Sequence, residues 1–210
     1  MEDSMLIYIV TYSGPFAYIK PWTAVRDAET FSQQFLTPSI VEGLEKKLFP
    51  ELLETSGLQG RILRHRLTYA GVSRQQEQTQ PRGIKQTPER ITKRTKTFEF
   101  SRPRSILVRG ALIEPVLHLG FSTGEDAERA TNEHICLCRN EDVLLPSDKI
   151  TAIEESDFDQ ADVGYNGFEL RFGRKSNAFI VGYNRFDNNK PMYGWLQIVG
   201  SNPLRTQFAL

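Results

Sequence analysis

Cysteine is scarce in this chain of 210 residues: only Cys136 and Cys138, one residue apart. A lone CxC lacks the second ligand pair of a structural zinc site, and two thiols do not make a disulfide scaffold. The pair therefore reads as buried or idle thiols in a reducing compartment. Long apolar runs are missing as well; no stretch reaches the roughly 18 residues that a spanning helix needs. The N-terminus, MEDSMLIYIVTY, places acids where a secretory leader carries positive charge, and no small-residue cleavage site follows. These absences lead to the expectation of a cytoplasmic protein without membrane contact. Neither GxxxxGK(S/T) nor GxGxxG occurs, and neither GxSxG nor HExxH. No cofactor and no metal is expected. The three histidines, His65, His118 and His134, fall on separate elements, so their spacing makes no metal triad. His65 and His118 sit inside strand-like apolar patterns and read as structural.

Net charge is absent only on average, because 26 Lys/Arg balance 26 Asp/Glu. From Arg61 to Arg109 there are thirteen Lys/Arg against three acids, a net of +10. From Gly110 to Asp162 there are three against thirteen, a net of −10. A neutral chain can thus present a strongly cationic face, which polyanion binding requires. The plainer alternative is that the two segments neutralise each other in the fold. Residues 73 to 97 are rich in Gln, Thr and Pro and poor in apolar side chains. They cannot bury much of themselves, so their charges should remain open to solvent or ligand.

Hydrophobic periodicity predicts a central strand at Met5–Tyr12 and a loop through SGPFAYIKPWTAVRD. A helix follows, with Thr37 as N-cap and Pro38 at the first helical position. Ile40, Leu44, Leu48 and Leu52 give it one apolar face, widened by Val41, while Glu42, Glu45, Lys46 and Lys47 point outward. Gly57 and Gly60 end the element. Ile62–Val72 reads as a strand with a wet face carrying Arg64 and Arg66. After the basic arm come strands at Arg104–Ile113 and Val116–Phe121, then a short helix within Gly124–His134. The acidic stretch Asp148–Asp162 reads as loop; its cluster Glu154–Asp162 offers carboxylates for a divalent ion but lacks EF-hand spacing, so it reads as a solvated loop or protein-contact surface. Three strands, Gly167–Phe172, Ala178–Tyr183 and Tyr193–Val199, complete the chain, the last two joined by a turn at Asp187–Pro191. This order predicts an α+β fold: a ferredoxin-like (RRM-like) β-α-β-β-α-β domain over residues 1–135, and a β-rich C-terminal extension over 136–210 that forms an additional antiparallel sheet.

The strongest chemical signal is the basic arm. Arg74, Arg82, Lys85, Arg90, Lys93, Arg94, Lys96, Arg102 and Arg104 can neutralise several phosphates. Phe98 and Phe100 alternate with charge, as in a β-hairpin whose rings stack on bases, or as in ordinary strand core. Arg64 on the preceding strand joins this RNA-binding set. Lys20, Trp22 and Arg26, with Tyr18, form a second contact set near the first loop.

The run GPFAYIKPW followed by FLTPSIVEGLEKKLFP resembles the N-terminal signature of the Cas five family, the CRISPR-associated subunits that hold the 5′ end of the crRNA. The matching residues are Gly14, Ala17, Tyr18, Pro21, Thr37, Pro38, Ser39 and Gly43. The likeness extends more weakly through RSILVRGALIEPVLHLGF, covers Met5 to Phe121, and is nearest in flavour to the type I-C form. It implies a ferredoxin-like domain with a protruding hairpin thumb, here at about residues 73–104, that hooks the crRNA 5′ handle. The implied partners are crRNA, a backbone Cas subunit, and a large subunit or nuclease of the effector complex, with the target nucleic acid met indirectly. The type I-C form also cleaves precursor crRNA, using a tyrosine in its first helix and a Lys-His pair near its second. Phe49 stands at the tyrosine position, and His134 has no lysine beside it. A phenylalanine transfers no proton and an unassisted histidine is a weak base for a ribose hydroxyl, so a non-cleaving subunit is expected. Two alternatives remain: a metal-independent endoribonuclease centred on His134 or another histidine, and a non-enzymatic interaction module whose basic segment meets the acidic segment of another copy.

Overall fold

The structure is a computed structural model that describes residues 5–21, 28–78, 85–91, 96–101, 105–137, 142–184 and 187–200; within 85–99 and at 101 it describes the backbone alone. In chain order the elements are β1 (Leu6–Ser13), β2 (Phe16–Ala17), β3 (Glu29–Phe31), α1 (Pro38–Leu48), β4 (Ile62–Thr68), β5 (Gly71–Gln78), β6 (Lys85–Ile91), β7 (Lys96–Ser101) and β8 (Ile106–Ile113). They continue with β9 (Val116–Phe121), α2 (Gly124–Thr131), β10 (Ile135–Cys136), β11 (Val143–Glu154), β12 (Gly167–Phe172), β13 (Phe179–Asn184) and β14 (Lys190–Val199). The fold is α+β and dominated by strands. No helix among the described residues is long and apolar enough to cross a membrane.

The largest sheet has eight strands in the order β10-β11-β1-β9-β4-β12-β14-β13. At its centre β1 lies between β11 and β9, and β9 pairs with β4, all antiparallel. Ile7, Ile9, Val10 and Tyr12 of β1 are all buried, so both faces of this strand are covered and its sequence reads as a continuous apolar run. On one face lie α1 and α2. Val41, Leu44 and Leu48 of α1 pack with Phe49, Leu119 and Phe121, each large side chain contributing about 1.5–3 kcal/mol by leaving water. On α2 the buried residues Ala127 and Ala130 are small, so the helix comes close enough for the Tyr12 hydroxyl to donate to the Ala130 carbonyl at 2.6 Å.

Several sequence expectations need correction here. Thr37 occupies the N-cap position and Pro38 the first turn, but the Thr37 hydroxyl is buried and does not cap. Helix α1 stops at Leu48 because Pro50 follows, not because of the later glycines. Glu45 points inward. Its carboxylate accepts the N–H groups of Gln59, Arg61 and Ile62 at 2.8–3.0 Å and so fixes the loop that leads into β4. Asp148–Glu154 is not loop but half of β11, the longest strand. Strands β12, β14 and β13 continue the large sheet beyond β4 instead of forming an additional one. The junction is a single register pair, Phe168 with Leu67. Gly167 beside it has φ +130°, and a Cβ there would lie 2.3 Å from the Leu67 carbonyl oxygen. The turn before β14 is tightened by Asn188 and Asn189 at φ 47° and 55°, as asparagine tolerates.

A second sheet is built on β8, which pairs along one edge with β5 and along the other with β3, in parallel, and β2. The expected single strand Ile62–Val72 breaks at Tyr69–Ala70, where the chain passes from β4 to β5. Opposite it, Glu114 at φ 48° and Pro115 carry β8 into β9. Thr68 faces Val116 before the bend and Gly71 faces Ile113 after it, so the two strands cross without slipping register. One antiparallel ribbon therefore runs from β4/β9 through β5/β8, and the antiparallel pair β6/β7 is its distal part in sequence.

Candidate nucleic-acid interface

The sheet face opposite the helices is the one that RRM-type domains use for stacking bases. Here it is filled. Residues 155–165, two short 3-10 turns and their link, lie across it, with Phe158 completely buried against Ile7 and Ile9. His118 packs edge-on against Tyr165 and shares a 2.9 Å hydrogen bond with the Thr11 hydroxyl.

Arg64 and Arg66 are on this covered face, at 1% and 0% exposure, which overturns the expectation of a wet strand face. Glu169 of β12, equally buried, accepts Arg64 Nε at 2.9 Å and Nη2 at 2.8 Å, and Arg66 Nη2 at 2.9 Å. Asp159 bridges the same two guanidiniums, and both rest on the Phe158 ring. Burial alone would raise the Glu169 carboxyl; hydrogen bonds and charge from Arg64, with charge from Arg66, outweigh it and hold the group below the ordinary glutamate range. Arg64 is thus a structural ion-pair residue, and its guanidinium is not open to a phosphate. The acidic stretch around Asp159, expected as a solvated loop, supplies its counter-charge.

Burial also pushes His65 and His118 down to about 4. A histidine kept neutral in the fold takes up a proton once unfolded, whose ordinary pKa is about 6.5. The stability it supports is present above pH 6.5 and is lost as pH falls toward 4; Glu169 and Asp159, lowered from their ordinary values, act in the same direction. Urea midpoints should therefore decline steadily below pH 6.5, with each histidine adding up to about 1.4 kcal/mol per pH unit. His118→Gln should flatten the profile; an unchanged slope would contradict this assignment.

Cation neutralisation is visible at the base of the ribbon. At its base Arg61 meets Asp126 at 2.5 Å, and Arg64 and Arg66 are fully engaged. On β5, Arg74 is exposed and pairs with Glu29 of β3 at 2.6 Å. On β8, Arg109 donates to the Thr30 hydroxyl at 2.7 Å and lies 3.5 Å from Glu77. Beyond them, residues 79–104 contain eight Lys/Arg and only Glu89 and Glu99 as acids, so ion pairs inside this segment can neutralise two cations at most.

The expected RNA-binding residues divide accordingly. Lys85, Arg90 and Lys96 belong to the strands of the β6/β7 hairpin. Trp22, Arg26, Arg82, Lys93, Arg94, Arg102 and Arg104 lie outside the described residues, as does Cys138. Lys20 is exposed, next to Ile19, whose carbonyl accepts the Gln33 N–H. Phe100 is 65% exposed, so it is not strand core. Among the exposed rings that the sequence expectations did not name is Phe31 of β3, at 51%. Only the β-favouring pair Thr30-Phe31 hints at its strand, because its setting depends on Gly110, 79 residues later.

The residues weighed for catalysis are separated by burial. Phe49 is buried, edge-on to Phe121, with the guanidiniums of Arg61 and Arg129 at 4.7 and 4.9 Å from its ring centre. His134 is exposed just beyond α2. Elsewhere an apolar pocket of about 440 Å³ lies between Pro38, Leu58, Phe172, Met192 and Tyr193, with Arg174 stacked on Tyr193; its described lining residues include no acid–base pair. No known family model matches this chain, and no curated protein matches it.

Proposed function

We propose that this protein is a non-cleaving RNA-binding subunit of a CRISPR effector complex, with a ferredoxin-like core and a hairpin thumb that caps the 5′ handle of crRNA. The observation that carries the reading is the charge gradient of the ribbon: its buried base is neutralised, and its distal part holds eight cations against two acids. A polyanion is the ligand class that such a segment attracts, through release of condensed counterions. The sequence order β1-α1-β4-β9-α2-β11 and the sheet order β11-β1-β9-β4 support the ferredoxin-like assignment. The long β insertion between β4 and β9 supports the thumb. The filled sheet face favours a ligand held by the thumb over one stacked on the sheet. In this reading the backbone subunit packs beside the thumb, a large subunit or nuclease joins the same complex, target nucleic acid is met indirectly, and the role is antiviral defence in the cytoplasm.

The enclosed Phe49 ring supports the absence of a cleavage step. Purified protein mixed with repeat RNA in EDTA should retain the RNA and leave it uncut. Discrete cleavage that disappears in His134→Ala would instead establish the endoribonuclease alternative.

A further inference from the structure

We infer that Phe31 is a stacking platform for one unpaired nucleobase at the root of the ribbon. This inference rests on the RNA-binding reading and gives it a specific contact. The ring belongs to β3, a three-residue strand pinned to β8 in parallel register, with Phe31 opposite Gly110. The Ser32 N–H donates to the Gly110 carbonyl at 2.8 Å, and the Ile19 N–H donates to the Ser32 hydroxyl at 2.9 Å, so the backbone that carries the ring is held from both sides. A Cβ on Gly110 would meet three consecutive ring atoms, Cδ1, Cε1 and Cγ, at 2.2–2.9 Å. The ring therefore lies against the bare backbone of β8, where only glycine leaves room for it.

A phenylalanine held this way and still 51% exposed is not covered by the core it rests on. Its free side is apolar, planar and of a size that one base covers. The chemistry around it suits a nucleotide. Arg74 pairs with Gly110 from the other edge of β8, which puts Arg74 and Phe31 on the same face, and its guanidinium is exposed, with Glu29 as its partner. Lys20 is exposed on the segment that runs beside Ser32 and Gln33. A base on the ring with its phosphate near Arg74 satisfies both the apolar and the cationic groups. Stacking on an aromatic ring tolerates any base, so the platform takes single-stranded RNA without selecting its sequence.

The test is a double cycle with wild-type protein, Phe31→Ala and Phe31→Trp against a single-stranded RNA and an abasic oligomer of equal length. Phe31→Ala should weaken RNA binding about tenfold or more but leave binding of the abasic backbone unchanged, and Phe31→Trp should restore affinity for RNA. Gly110→Ala, which displaces the ring without removing it, should weaken RNA in the same selective way. If wild type binds RNA and Phe31→Ala binds it equally well, or loses RNA and abasic oligomer alike, the platform is refuted while the RNA-binding reading stands. If wild type binds no RNA, both fall.

Discussion

Glu169→Ala should destabilise the protein by about 4 kcal/mol, the cost of leaving a buried charge without its partner. The carboxylate is 1% exposed and is the one fully buried acid that contacts both Arg64 and Arg66 among the described residues. It also accepts the His65 N–H at 3.2 Å. Its removal leaves two guanidiniums below the surface with Asp159, which is 38% exposed and so partly screened, and Glu155 for Arg64, with its side chain 29% exposed. The loss should appear as a lower urea midpoint with an unchanged slope. Replacing the whole set by Arg64→Met, Arg66→Met and Glu169→Leu should cost less than Glu169→Ala alone, because apolar side chains of similar volume desolvate at no charge penalty. If the single change proves the milder one, the ion pairs are not what organises this face.

The second large effect concerns binding. Changing the eight Lys/Arg of residues 79–104 to alanine should reduce RNA affinity about a thousandfold at 0.15 M salt. Each single-strand phosphate that the protein ceases to neutralise makes the slope of log affinity against log salt shallower by about 0.7. With six of the eight cations unpaired, a wild-type slope of roughly −5 should approach about −1 in the variant, with Arg74, Lys20 and the Phe31 platform carrying what remains. Stability should change little, because none of the eight belongs to β4 or β9, the strands of the ribbon that carry buried core residues. An unaltered slope would remove the hairpin from the interface.

The sequence made local structure legible wherever one element settles its own pattern. The apolar run of β1, the bounds of β9 and β12 and the first turn of α1 follow from periodicity and from Pro38. The basic insertion was also legible, as composition. What failed depends on partners far along the chain. Arg64 and Arg66 alternate with apolar residues as a solvated face would, but Phe158, Asp159 and Glu169, about 90 to 105 positions later, cover and neutralise them. The acids that counter this base made residues 148–162 look solvated, which hid the second half of β11 beside β1. The two readings of the opposed charge blocks therefore divide by position. Neutralisation within the fold holds for the base of the ribbon; the side chains of the eight cations in residues 79–104 lie outside the described ones, and their exposure is a proposal.

The most direct measurement is a competition at 0.15 M salt between an RNA carrying a CRISPR-repeat-derived 5′ handle and the same RNA with its handle scrambled. The account predicts clear preference for the native handle, lost when the eight hairpin cations become alanine. Equal affinity for both RNAs, or a preference that survives without those cations, would contradict it.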